Sequence, residues 1–307
     1  MKKVKVSIII PTYKREEDIN RAIDSVLNQT LKDIEVIVVD DNGIETEDGR
    51  RTAIAMKHYQ SDSRVIYLQH EVNKNGSAAR NTGIREASGE YISFLDDDDV
   101  YHPERLQKMC EKMDKLDSTW GACYTGYVKH QSNGSDQLSA EKVEGDVFVQ
   151  ALMRSLFIGT GSNLFFRRSV IDDIGFFDES FRRNQDLEYL VRALKKYKLA
   201  YVDGVLVEKY HDIRTVNVTY EQSLERENNF RDKFSPHLES LTPKNRREVE
   251  IMWDIDWIRM LINRRMFSEV LKTVKKAKIP FKVWISYAKY VLVRKKNKTS
   301  FGFVVRL

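Results

Sequence analysis

Residues 93–103 read SFLDDDDVYHP, four consecutive aspartates, Asp96 to Asp99, set directly behind the apolar run Tyr91-Ile92-Ser93-Phe94-Leu95. Carboxylates held side by side do not all ionise cheaply unless a cation or strong donors stand between them. Such a cluster is suited to a hard divalent ion, which takes a few carboxylate oxygens together with phosphate and water. The plainer alternative is an acidic, solvated loop, and the neighbouring residues must decide. A further acid, Asp186, opens a segment in which Leu187, Leu190, Val191 and Leu194 fall at helical spacing. A carboxylate there fits a general base, and it equally fits a helix N-cap. His211 follows the strand-like run Leu206–Tyr210, with Arg214 three residues on, a pair that suits an anion.

These groups need elements to hold them. Val4–Ile10, Ile34–Val39, Val65–Leu68 and Tyr91–Leu95 read as strands, the first two as continuous apolar blocks covered on both faces. Between them Ile19, Ala22, Ile23, Val26 and Leu27 repeat at helical spacing, as do Ala78, Ala79, Ile84 and Ala87. Strand and helix alternating at this rhythm predict a parallel α/β sheet, whose ligands bind beyond the carboxyl ends of the strands. The aspartates lie at such an end. Pro103 is placed as the first residue of a helix presenting Leu106, Met109, Cys110, Met113 and Leu116 on one face. Residues 129–145 are polar and contain Asn133-Gly134, an excursion between strands; from about Tyr220 onward the pattern is helical, anchored by Trp253, Trp257, Leu261 and Trp284.

With 307 residues and 41% hydrophobic content the chain can bury a large core, which excludes a disordered protein. Two unpatterned cysteines, Cys110 and Cys123, give no zinc signature and read as buried thiols. The N-terminal apolar run, Val6 to Ile10, is too short for a signal peptide, so a reducing cytoplasmic location is expected. The net charge of +5 conceals an asymmetry. Residues 241–307 hold 17 Lys and Arg against 5 Asp and Glu, a net of +12, which leaves residues 1–240 at −7. A basic tail on an acidic body points to an anionic partner met by the tail alone. With no recognisable binding module, nucleic acid is not expected as that partner.

Four ordered pieces fall at or beside predicted strand ends, PTYKRE (11–16), VVDDN (38–42), NKNGSAARNTGI (73–84) and FLDDDD (94–99), and a fifth, GFFDESFRRNQDLEYLVRA (175–193), follows further along the chain. Together they resemble the glycosyltransferase family 2 enzymes, inverting GT-A transferases that build bacterial surface polysaccharides, over roughly residues 4–215. The resemblance implies a GT-A, Rossmann-like α/β domain with a mixed central sheet over 1–215, its nucleotide-sugar half about 1–100 and its acceptor half about 101–215. A helical, basic C-terminal region, 216–307, follows.

The implied activity is transfer of a sugar from a nucleotide donor, a UDP-sugar, to a hydroxyl of a glycan acceptor carried on a polyprenyl diphosphate, in cell-surface polysaccharide synthesis. Pro11, Thr12 and Tyr13 match the opening turn that holds the nucleotide base, and Asp41 with Asp40 the acid that accepts from uracil or ribose. Asn75, Gly76, Arg80 and Asn81 match the N-x-G-x-x-x-A-R-N segment; Arg80 then either offers its fork to an anion or pairs with an aspartate. Asp96, Asp97 and Asp98 match the DxD element: Asp98 the direct ligand of Mn²⁺ or Mg²⁺, Asp96 beside the ribose or a metal-bound water, with His211 reaching the metal or diphosphate. Asp186 matches the base, although Gln185 stands where the family usually has Glu. Thr160, Gly161 and Ser162 fall on the acceptor side. The alternative left open by Gln185 is a catalytically weak GT-A-like scaffold that docks other transferases at the membrane.

The tail reads independently of the family. Phe281, Trp284, Ile285, Ala288 and Leu292 share a helical face beside Lys282, Lys289 and Arg294-Lys295-Lys296-Asn297-Lys298. The apolar stretch Val283 to Val293 is too short and too interrupted to span a bilayer, which takes about 20 apolar residues. That face either lies on an anionic membrane, making the enzyme peripheral at the inner face of the cell membrane, or packs on the helices around Trp253 and Trp257.

Overall fold

The computed structural model describes residues 3–131, 134–159, 161–181, 183–210 and 218–307. In chain order the elements are β1 (Val6–Thr12), α1 (Ile19–Leu27), β2 (Ile34–Asp40), α2 (Glu47–Met56), β3 (Val65–Gln69), α3 (Gly76–Glu86), β4 (Tyr91–Phe94), β5 (Val100–Tyr101), α4 (Arg105–Asp114), β6 (Trp120–His130) and β7 (Asp136–Ser139). Then come α5 (Phe148–Leu152), β8 (Phe165–Arg167), α6 (Arg168–Ile174), α7 (Gln185–Leu194), β9 (Lys198–Tyr210), α8 (Tyr220–Leu238), α9 (Pro243–Asn263), α10 (Phe267–Ala277) and α11 (Phe281–Asn297). They form two compact units, Met1–Val147 with Ile158–Asp212, and Phe148–Phe157 with Ile213–Leu307.

In the first unit one sheet runs β3-β2-β1-β4-β8-β6. The strands from β3 to β4 are parallel, β8 is antiparallel to both β4 and β6, and β9 returns parallel to β6. The expected all-parallel nucleotide half is therefore joined to a mixed half. Every residue of β2 is buried, and so is β1 apart from Pro11, as their continuous apolar sequence requires. Ile19, Ala22, Ile23 and Val26 are the buried face of α1.

The helix after Pro103 starts two residues later than expected, at Arg105. The proline carbonyl is instead used to hold the end of α1, accepting from the Thr30 amide at 2.9 Å. Leu106, Met109, Cys110 and Met113 still form its buried face, and both cysteines are buried free thiols. The polar excursion becomes a hairpin, β7 returning antiparallel on Val128–His130; Asn133 lies outside the described residues.

The second unit is built on α8 to α11. Thr219 caps α8 through a capping box with Gln222, and Thr242 with Pro243 starts α9. Trp253 is the anchor: buried, it donates its indole N–H to the Leu152 carbonyl at 2.6 Å and meets Phe230 edge to face. Arg154 completes the join with a two-point ion pair to Glu227, both distances 2.9 Å. These bonds are why the short segment 148–157 sits with the C-terminal helices. No helix among the described residues is long and apolar enough to cross a membrane.

Candidate functional site

The carboxyl ends of β1, β2 and β4 deliver the turns that carry the conspicuous residues, all within the first unit. The four aspartates alternate in environment. Asp96 and Asp98 are half-buried, while Asp97 and Asp99 are buried. Asp99 is an anchor: it accepts from the Ser162 hydroxyl, from Lys209 Nζ at 2.6 Å and from the Tyr210 amide at 3.2 Å. Asp97 accepts from the Tyr13 amide at 3.3 Å and faces Arg15 Nε at 3.4 Å. Asp98 is ion-paired to the same guanidinium, through Arg15 Nη1. Asp96 Oδ1 accepts from Arg80 Nη2 at 2.8 Å, and its Oδ2 lies 3.9 Å from Lys209 Nζ. Arg80 thus pairs with an aspartate, the second of the two arrangements the sequence leaves open.

Electrostatics separates the four. Burial pushes the Asp97 carboxyl up to about 7, Arg15 and the Thr12 hydroxyl pulling it down and the Asp98 and Asp96 charges adding to the rise. Burial likewise raises Asp98 to about 6, helped by Asp99 and Asp96 and opposed by Arg15. Burial also works against ionised Asp96, but Arg80 and Lys209, with hydrogen bonds from Arg80 and Ser162, outweigh it and hold that carboxyl below its usual range. The cluster carries more negative charge than its arginines and lysine cancel. An all-oxygen donor set in that state fits a hard divalent cation. No group of three or more candidate ligands is preassembled among the described residues, and His211 lies outside them, as do Thr160 and Arg214.

The two acids at the end of β2, expected to accept from uracil or ribose, already accept from groups of the chain itself. Asp40 accepts from the Asn42 amide and side chain at 2.9 and 2.7 Å, from Tyr67 at 2.7 Å and from Gln69 at 3.2 Å. Asp41 accepts from His70 Nδ1 at 2.7 Å, Asn73 at 2.8 Å, and the Lys74 and Asn75 amides at 2.8 and 2.9 Å. A carboxylate offers about four acceptor positions, so both are filled from within the chain. In this structure they shape the 70–75 turn that leads into α3. Tyr13, 43% exposed, does present an open ring, with the Lys14 ammonium 5.3 Å from its centroid.

The start of α3 ties the donor half to the segment before α7. Asn75 caps α3 through Oδ1 and donates to the Glu179 carbonyl at 3.2 Å. Asn81 exchanges hydrogen bonds with the Phe177 backbone, at 3.0 and 2.8 Å. Gly76 lies close to α7: a Cβ there would be 2.9 Å from Gln185 Nε2, the end of a flexible side chain. Asp186 follows in the first turn of α7, with Asn184 as N-cap residue making no side-chain cap bond. Its Oδ1 accepts from the Leu187 amide at 2.9 Å and its Oδ2 from the Gly161 amide at 3.1 Å. Gly161 is where the two halves meet. It has φ +41°, and a Cβ on it would fall 2.5 Å from Asp96 Oδ2. One residue without a side chain therefore separates the aspartate loop from Asp186.

Arg15 and Lys209 carry much of this geometry and are not singled out by the sequence. Arg15 lies inside the quoted PTYKRE, but nothing local ties it to carboxylates some eighty residues away. Lys209 carries no motif.

The sequence profile of the family described as "Glycosyl transferase family 2" matches residues 7–175. An uncharacterised glycosyltransferase of Rickettsia prowazekii is 32% identical over 247 residues, 77% of this chain and 72% of that protein. The Campylobacter jejuni GalNAc(5)-diNAcBac-PP-undecaprenol β-1,3-glucosyltransferase is 27% identical over 66% of this chain and 67% of its own. Among solved structures, S. aureus TarS superposes with TM-score 0.64 at 19% identity, over 84% of this chain but only 44% of TarS. Its 1–349 segment in complex with UDP-GlcNAc gives 0.62 at 18% identity, covering 84% and 73%.

Proposed function

The chain belongs to glycosyl transferase family 2 and has the GT-A fold, and from that premise we propose that it moves a sugar from a UDP-sugar to a hydroxyl of a glycan acceptor, inverting the anomeric centre in one displacement. The observation that carries the reading is the convergence on Gly161: its amide holds Asp186 Oδ2 while Asp96 Oδ2 occupies the space a side chain would take. Each Asp186 oxygen accepts one backbone hydrogen bond, which orients the carboxylate and leaves it capacity to take the proton of an attacking hydroxyl. Tyr13 gives the base a flat face directly after Pro11 and Thr12, the last two residues of β1. Asp40 and Asp41 act by holding the turn before α3, and a nucleoside that bonds to Asp41 does so by displacing an internal donor.

Asp98 and Asp96 are the groups that would hold Mn²⁺ or Mg²⁺, with His211 as a further ligand. When bound, such an ion supplies charge neutralisation for the departing diphosphate. Arg80 already faces this loop and keeps Asp96 ionised. The experiment that tests the reading is acceptor-dependent release of nucleoside diphosphate from a nucleotide sugar by the purified protein.

A relative named for a PP-undecaprenol substrate supports a polyprenyl-diphosphate-linked acceptor, in cell-surface polysaccharide synthesis. On this reading the enzyme is peripheral at the inner face of the cell membrane, and the second unit supports an attachment there. On α11 the buried residues are Val283 and Tyr290, whereas Phe281 (77% exposed), Ile285 (44%) and Leu292 (67%) stay open. Residues 267–298 carry ten Lys and Arg against one acid. Basic residues near an anionic leaflet contribute about 1 kcal/mol each, and an apolar face adds its burial in the interface.

Wild-type protein should therefore sediment with anionic vesicles at low salt and not with neutral ones. Exchanging Phe281 and Leu292 for Glu should cut the bound fraction at least about tenfold without lowering the melting temperature, because neither side chain is buried. Vesicle binding unchanged in that double variant would remove α11 as the attachment.

A further inference from the structure

We propose that Lys209 sets the charge of the donor site, opposing the metal and favouring the nucleotide diphosphate. The inference rests on the donor-site reading above and assigns a role to a residue no motif marks.

Lys209 stands at the end of β9, one-fifth exposed, with Nζ 2.6 Å from Asp99 Oδ2 and 3.9 Å from Asp96 Oδ2. The strand end is pinned to the aspartate loop beside this contact. Tyr210 donates its amide to Asp99 Oδ1 at 3.2 Å, and Arg21 stacks 4.2 Å over the Tyr210 ring while donating to the Asp98 carbonyl at 2.8 Å. Lys209 therefore cannot swing away from the loop without breaking a buried ion pair. It is a fixed charge.

Four carboxylates here meet three side-chain cations: Arg15 on Asp97 and Asp98, Arg80 on Asp96, and Lys209 on Asp99 and Asp96. With all four carboxylates ionised the formal remainder is −1. A divalent ion turns that remainder to +1, the sign that attracts a diphosphate. Without Lys209 the remainder is −2, which binds a cation more tightly, and the metal-loaded site is then neutral toward the nucleotide. One residue thus shifts two affinities in opposite directions. A lysine that only satisfied the buried Asp99 would, on removal, loosen the site and weaken both.

The test measures binding, not turnover. Mn²⁺ alone is titrated into wild type, Lys209→Met, Asp99→Asn and the Lys209→Met/Asp99→Asn double variant by the paramagnetic signal of free ion. UDP is then titrated calorimetrically at saturating Mn²⁺. We expect Lys209→Met to tighten Mn²⁺ and weaken UDP, each about tenfold. Asp99→Asn should do the reverse, and the double variant, whose formal charge equals that of wild type, should return both constants toward the wild-type values. Melting curves identify a variant that fails to fold, in which case Asp99→Asn and the double variant carry the comparison. Both affinities falling together, or neither moving, in variants that fold would overturn the role of Lys209 while leaving the donor site intact. Wild type binding neither Mn²⁺ nor UDP would instead overturn the donor-site reading and this inference with it.

Discussion

Asp186→Asn should lower kcat about 100- to 10,000-fold, the range expected when a general base is lost, while UDP affinity and melting temperature stay near wild type. The amide keeps the size of the carboxylate, and its one carbonyl oxygen can still accept from either Gly161 or Leu187, so one of the two backbone contacts is kept. What disappears is the capacity to take a proton. The neighbouring acids are poor substitutes. Glu188 is fully buried and locked to Arg192 at 2.7 Å, and Asp178 is engaged by the Ser180 amide and hydroxyl at 3.0 and 2.6 Å. Nucleoside diphosphate release measured with saturating donor and acceptor gives the comparison. A folded variant that binds UDP and turns over at the wild-type rate would remove Asp186 as the base. A wild-type protein that binds donor and transfers nothing would favour the scaffold alternative that Gln185 suggests.

The second large effect concerns the aspartate loop. EDTA should abolish transfer, Mn²⁺ or Mg²⁺ should restore it, and Asp98→Ala should lose both the metal response and tight UDP binding. Asp98 is suited to this because it is half-buried and its carboxyl is raised to about 6 even with Arg15 beside it, so a divalent ion meets uncompensated charge there. The alanine variant removes that charge and leaves Arg15 its pairing with Asp97. It should fold, because the loop keeps the hydrogen bond from the Arg21 guanidinium to the Asp98 carbonyl. Full transfer in chelator by wild type would return the four aspartates to an acidic loop neutralised by Arg15, Arg80 and Lys209.

Much of the frame is legible in sequence because its signals are local. Continuous apolar blocks mark β1 and β2, and helical spacing in Ile19, Ala22, Ile23 and Val26 marks α1, since burial on two faces or one stripe imposes those patterns. Motifs at strand ends are legible for the same reason. What the sequence hides is pairing across distance. Arg15 reaches Asp97 and Asp98, and Gly161 fits between Asp96 and Asp186, only because β1, β4 and α7 bring them together. The acids Asp40 and Asp41 look available in VVDDN, yet their partners Tyr67, Gln69, His70 and Asn73 come from the next strand and turn. The tail shows the same limit. An amphipathic face in α11 is plain from spacing, but whether it is covered depends on where Val283 and Tyr290 turn, and they turn inward.

The central claim is that these strand ends form a metal-assisted nucleotide-sugar site, and the most direct measurement is the melting temperature against a panel of nucleotide sugars, with and without Mn²⁺. A ligand at 100 times its dissociation constant stabilises the folded state by about 2.7 kcal/mol, which is several degrees for a domain of this kind. The account predicts a rise with a uridine donor that needs Mn²⁺ and is lost in Asp98→Ala. No shift with any nucleotide sugar in the presence of Mn²⁺, or the same shift in Asp98→Ala as in wild type, would contradict it.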